Sequence, residues 1–222
     1  MKKQIALLVV VATLACCSVS KADITGAAWV PASCTNLTFM GQNFDTADST
    51  LGVSAHQLSL NTARMAGNVI TDTTSDPTLT LSSSVNNDTG FAWNGYQVNV
   101  IMSAPGGIPV PFAFTAPAPN VHNPPANDWF LAAVVPPTFQ VSGPWAGYYE
   151  GTLDFSAGTP VGVGGELDFQ YAVTFASSTH YILTQEMIPS MVTIPEPSTI
   201  ALLAIGGLGL VMRLRRSSRI GA

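Results

Sequence analysis

The sequence predicts an all-β fold, an antiparallel β-sandwich of the jelly-roll or Ig-like kind. Three observations predict it. Two segments alternate strictly between bulky apolar and polar residues, which is the period of a half-buried strand. Clusters of Gly, Pro and Asn punctuate the chain between such segments. No stretch between Asp23 and Ile194 shows a helical period. A closed barrel satisfies the same periodicities and stands as the alternative.

The first element is residues 1–22. Lys2 and Lys3 form a basic start, Ile5 to Ala15 is apolar except for Thr13, and Ser20-Lys21-Ala22 offers small residues where signal peptidase reads. This is the layout of a secretory signal, too short for a stable membrane span. Cleavage is expected between Ala22 and Asp23. Acylation at Cys17 is a rival, but the preceding Cys16 fits a lipoprotein site poorly.

A domain is expected over residues 23–190, long enough for one hydrophobic core. Between Asp23 and Ile194 lie twelve carboxylates and one cation, Arg64, a formal charge of −11. Such a surface repels nucleic acid and anionic membrane, so neither is a partner of this domain. Cys34 is the single cysteine beyond the signal. An intramolecular disulfide is therefore excluded, leaving burial or pairing between molecules.

Within the domain, Leu79, Leu81 and Val85 share a phase over residues 78–85, and residues 86–90 form a turn. The apolar phase then flips at Asn94-Gly95: Phe91 and Trp93 are odd, whereas Tyr96, Val98, Val100 and Met102 are even. Either a bulge or a tight hairpin explains this; one long bulged strand is expected, because the residues after Gly95 continue without another early turn. Residues 105–125 hold seven prolines and read as loop or edge. Weaker strands are expected within 57–70, 130–135 and 138–141. Tyr149, Leu153 and Phe155 face inward in one strand, and Leu167, Phe169, Tyr171, Val173 and Phe175 in another. With residues 157–165 as a Gly/Pro-rich loop, these two are expected to pair as a hairpin.

Residues 191–198 form a linker containing Pro195-Glu196-Pro197-Ser198. The prolines hold Glu196 extended, and Ser198 or Thr199 caps a following helix. Residues 199–212 are apolar and uncharged, about 21 Å of helix at 1.5 Å per residue. That is short of the roughly 20 residues of an ordinary span. Residues 213–222 are a basic tail in which Arg213, Arg215, Arg216 and Arg219 stop transfer on the cytoplasmic side.

This ending resembles the PEP-CTERM sorting signal: Pro195-Glu196-Pro197-Ser198, a short Leu/Gly/Ala-rich helix and an arginine cluster, in that order. The resemblance implies export in a Gram-negative bacterium, an inner-membrane precursor, and processing near the motif by an exosortase. It implies a cell-surface or extracellular destination, with exopolysaccharide or a biofilm matrix as the setting. It carries no activity with it. Residues 87–93 with Tyr96, and Gly164-Gly165, are similar to strand pairs of secreted bacterial sandwich domains.

Catalytic groups are scarce. His56, His122 and His180 stand alone, and no nucleophile elbow is present. No catalytic residue is assigned, and an enzyme is not expected. On the expected hairpin, Glu150, Asp154, Glu166 and Asp168 share a polar face without a cation to offset them. Such a face is a candidate Ca²⁺ site. Trp129, Phe130, Trp145, Tyr148 and Tyr149 lie near loops, where rings stack on sugars. The functional expectation is a structural or adhesive exported protein, with a carbohydrate- or calcium-binding module as the alternative.

Overall fold

The computed structural model describes residues 22–121 and 129–191. The signal segment up to Lys21, the sorting motif, the apolar helix, the arginine tail and His122 lie outside the described residues.

Twelve strands form two packed sheets. They are β1 (Ile24–Trp29), β2 (Leu37–Asp45), β3 (Thr50–Gln57), β4 (Ala63–Thr71), β5 (Thr78–Asn87) and β6 (Trp93–Ala104). Then follow β7 (Ile108–Pro109), β8 (Phe112–Val121), β9 (Phe130–Phe139), β10 (Tyr149–Val161), β11 (Glu166–Phe175) and β12 (His180–Met191). The larger sheet runs β1-β4-β12-β6-β10-β9, with β7 attached to β6. The smaller runs β2-β3-β5-β11-β8. All pairings are antiparallel except β3 with β5, which is parallel. The sandwich is thus mixed rather than purely antiparallel.

Alternation places the core as the sequence requires. Leu167, Phe169, Tyr171 and Val173 of β11 are fully buried, as are Val98, Val100 and Met102 of β6. Phe169 is the centre, with ring centroids 5.7 Å from Tyr96 and 5.5 Å from Phe155 in the opposite sheet. Trp129 belongs to this core, 5% exposed, with its Nε1 donating to the Thr159 carbonyl at 2.8 Å. It is not a surface ring for a sugar.

Two buried polar bonds join the sheets reciprocally. The Tyr96 hydroxyl donates to Gln57 at 2.7 Å, and the Tyr171 hydroxyl donates to Gln185 at 2.8 Å. Burial pushes both phenols well above their ordinary pKa. They stay protonated donors, so each buried glutamine oxygen has a partner.

The expected bulge is present. Both neighbours of β6 skip Asn94 between their pairings with Trp93 and Gly95. The turns flanking it are tied together by Asn87, which is fully buried. Its amide donates to the carbonyls of Phe91, Val161 and Gly162 at 2.7–3.1 Å, and its oxygen accepts from Thr89.

The hairpin of β10 with β11 does not form. β10 lies between β6 and β9, whereas β11 lies between β5 and β8 in the other sheet. The turn at 162–165 carries the chain across the core. Inward residues of matching phase face each other from opposite sheets as readily as they sit side by side in one.

Candidate functional site

The placement of β10 and β11 in opposite sheets disperses the candidate calcium ligands. Glu150 and Asp154 project from the outer face of the larger sheet, opposite Ile101 and Gln97 of β6. Glu166 and Asp168 project from the outer face of the smaller sheet, opposite Asn86 and Ser84 of β5. Among the described residues no three metal-ligating side chains gather. The repulsion that called for a cation is relieved by distance.

The outer face of the smaller sheet carries a polar trough of about 420 Å³. The parallel pairing of β3 and β5 builds it by putting like residues side by side. Gly52 lies beside Ser82, Ser54 beside Ser84, and His56 beside Asn86. β11 continues these rows with Gln170, Asp168 and Glu166. On the far side β2 contributes Gly41 and Asn43. A Cβ at position 52 would fall 2.1 Å from the Asn43 side-chain oxygen, so a larger residue there would push the Asn43 amide aside. A smaller hollow, about 240 Å³, shares Ser54 and Ser84 and extends to Met40, His56 and Asn86.

The trough offers hydroxyl and amide donors and acceptors, with one carboxylate, Asp168, on its β11 side. No aromatic ring lines it. His56 is oriented by Asp88, with Nδ1 2.7 Å from the carboxylate. Its Nε2 lies 3.1 Å from the Asn86 amide nitrogen. Ser84 hydrogen-bonds Glu166. A nucleophile relay needs a hydroxyl at the free nitrogen of the histidine. Here that place is held by an amide.

The outer face of the larger sheet is different. Arg64 on β4 donates to Glu186 on β12 from Nε at 3.0 Å and Nη2 at 2.5 Å. The Trp145 ring lies over the guanidinium at 4.7 Å. Trp145 comes from the connection between β9 and β10. To reach β4 it passes over β6 and β12. The arm is fixed by Gly147 donating to Gln140 and Gln140 to Tyr148, both at 2.8 Å, and it turns at Gly143 and Gly147, whose φ angles are +92° and +91°. Beneath it, Ile101, Asn99, Thr184 and Glu186 are buried although they point away from the core. Burial, then the charge of Glu186, raises the Glu150 pKa above its ordinary value. Trp145 therefore serves as a cover over an ion pair, not as a free stacking platform.

Ala22 is buried, and the backbone nitrogen of Asp23 donates to Asp72 at 2.8 Å. Cleavage before Asp23 would put an ammonium group against that carboxylate. Cys34 is half-buried against the core, and burial raises its thiol pKa, which disfavours the reactive thiolate. Tyr148 and Tyr149 are half-buried and Phe130 is exposed. The run Ser82-Ser83-Ser84 in the middle of β5 carries no mark of a site in the sequence. It becomes a site only through the β3–β5 register.

The family model of the PEP-CTERM protein-sorting motif matches residues 193–216. The chain therefore carries the sorting signal of an exported, membrane-anchored precursor processed by an exosortase. Among the described residues no helix is long and apolar enough to cross a membrane. No curated protein and no solved structure matches the chain.

Proposed function

We propose that this protein is a structural or adhesive component of the cell surface or extracellular matrix of a Gram-negative bacterium, delivered by its sorting signal into an exopolysaccharide or biofilm setting. The match at residues 193–216 carries the reading. The sandwich supports it: β12 ends at Met191, so the motif begins as soon as the fold is complete. Signal peptidase removes residues 1–22 and exosortase acts around Pro195-Glu196-Pro197. Replacing Glu196 with Ala in the host should hold the chain in the membrane fraction while the parent reaches the surface or medium. Equal release of both forms would contradict the reading.

The trough supports a second reading, binding of a neutral polysaccharide. Its hydroxyls and amides match sugar hydroxyls, and the Asp168 carboxylate in its lining disfavours polyanions. Retention on a neutral polysaccharide column that Asn43→Ala with Ser82→Ala abolishes would support it. Retention unchanged by both substitutions would not.

A further inference from the structure

Three turns cross between the sheets side by side at one end of the sandwich. Residues 58–62 link β3 to β4, residues 88–92 link β5 to β6, and residues 162–165 link β10 to β11. β3, β5 and β11 are consecutive in the smaller sheet, and β12 finishes at the same end, between β4 and β6. Hydrogen bonds lace the turns at their base. The Asp88 N–H donates to the Gln57 carbonyl at 3.0 Å, and the Asn87 backbone donates to Gly165 at 2.8 Å and accepts from Gly164 at 2.7 Å. Each turn on this fixed base carries an exposed apolar residue. Leu58, Phe91 and Val163 are 51%, 51% and 60% exposed, and Met191 at the end of β12 is 43% exposed.

Toward the opposite end Ile70, Ile108, Phe139 and Val141 are also exposed, so apolarity alone singles out neither end. Charge does. The opposite end holds Asp45, Asp48, Asp72 and Asp76 in and beside its turns, with Asp23 against Asp72. The three crossing turns contain one ionised residue, Asp88, whose carboxylate lies 2.7 Å from His56. Glu166, which opens β11, is hydrogen-bonded by Ser84 on the outer face of the smaller sheet. Asp128 lies outside the described residues.

The chain also leaves the fold at this end. From Met191 to Thr199, where the apolar run begins, there are eight residues, at most about 29 Å of extended chain. An anchor in the bilayer therefore holds the end that carries Met191 close to the membrane surface. We propose that the anchored precursor rests this end on a zwitterionic lipid surface, with Leu58, Phe91 and Val163 set among the headgroups. The inference rests on the sorting reading, which supplies the anchor. Apolar side chains gain by leaving water at the bilayer interface. The formal charge of −11 opposes an anionic bilayer, so the fit is to headgroups without net charge, approached by the end poorest in carboxylates. Three side chains alone bind a bilayer weakly. The tether raises their local concentration to the order of millimolar, so the contact holds while the anchor is in place and lapses once the chain is cut.

The test uses the full chain made in its host, purified from the membrane fraction and reconstituted into phosphatidylcholine vesicles that contain a lipid with a shallow spin-label quencher. With Cys34→Ser as background, a fluorescent maleimide is attached at Val163→Cys, or at Thr46→Cys in an exposed turn of the opposite end as control. Fluorescence at residue 163 should be strongly quenched and that at residue 46 unchanged. Phosphatidylglycerol added to the vesicles should weaken the quenching, and NaCl should restore it by screening the repulsion. With the probe moved to Leu58→Cys, Phe91→Glu together with Val163→Glu should remove the quenching at an unchanged melting temperature, since both side chains are exposed. Four results would each overturn the proposal and leave the sorting reading standing. These are no quenching at residue 163 in a chain that floats with the vesicles, equal quenching at residues 163 and 46, quenching that survives the double substitution, and a probe at residue 163 shielded from water yet unreached by the quencher, as a protein partner would leave it. A chain that does not float with the vesicles would overturn both.

Discussion

The two outer faces of the sandwich are made by the same acidic chain and behave oppositely. On the larger sheet an arm from the β9–β10 connection lies over Arg64, and Ile101, Asn99, Thr184 and Glu186 beneath it are buried. On the smaller sheet Gly41, Gly52, Ser54, Ser82 and Ser84 leave an open trough. The difference follows from where the single cation of the exported segment sits. Arg64 gives the larger sheet an anchor for a carboxylate and a ring. The smaller sheet has no arginine to hold such a cover, and its trough stays open to solvent. Polar residues on a β surface are therefore of two kinds here, those that hold the fold and those free to meet a ligand.

That contrast can be broken most severely at Arg64. Arg64→Ala leaves Glu186 nearly buried without its partner. Complete burial would cost 3–5 kcal/mol; the half-exposed guanidinium brings the expected loss to about 2–3 kcal/mol. Urea denaturation of the variant checks this, and Glu186→Gln in the same background should restore most of the loss. Trp145→Ala removes the cover and is expected to cost about 1–2 kcal/mol, less than truncation of a fully buried tryptophan. Faster hydrogen exchange at Ile101 and Thr184 should accompany it.

Glu150 sharpens the comparison through pH. Its pKa is raised in the folded state by burial and by Glu186, so folding favours the protonated form. Its contribution is fully present below the ordinary glutamate pKa and is lost as pH rises through the raised value. Glu150→Gln should therefore stabilise the protein at pH 7 by less than about 1 kcal/mol, given its partial exposure, and the gain should disappear near pH 4. Thermal melts at both pH values decide it. The smallest effects are expected on the open face. Asn43→Ala and Ser82→Ala should each change stability by no more than about 0.5 kcal/mol. A loss above 1 kcal/mol at either position would show that the trough, too, holds the fold together.

How much of this was legible in the sequence depended on whether a strand had one wet face. β11 was plain, because Glu166, Asp168 and Gln170 stand opposite fully buried Leu167, Phe169 and Tyr171. β12 was hidden although it is central. Its inward face includes Gln185, and its outward Thr184 and Glu186 are buried under the arm, so the alternation of polarity is lost. Alternation also fixed which residues of β10 face inward but not which strand lies beside it. That ambiguity produced the expected hairpin and, with it, the calcium site. The trough was not legible, because serine and glycine carry no chemical mark until the parallel register of β3 and β5 aligns them. Arg64 stood out as the lone cation, but its carboxylate lies 122 residues away in the chain. The sorting motif needed no fold at all, since order and position within the chain suffice to identify it.

We propose that this sandwich is exported cargo whose two ends are addresses, of which the C-terminal one matches the sorting motif at residues 193–216. The intact mass of the protein recovered from its host, compared between membrane and medium, tests it most directly. The account predicts a released species that begins at Asp23 and ends near Pro195-Glu196-Pro197. A single membrane species that keeps Arg213, Arg215, Arg216 and Arg219 would contradict it, leaving a permanent anchor in place of a sorting signal.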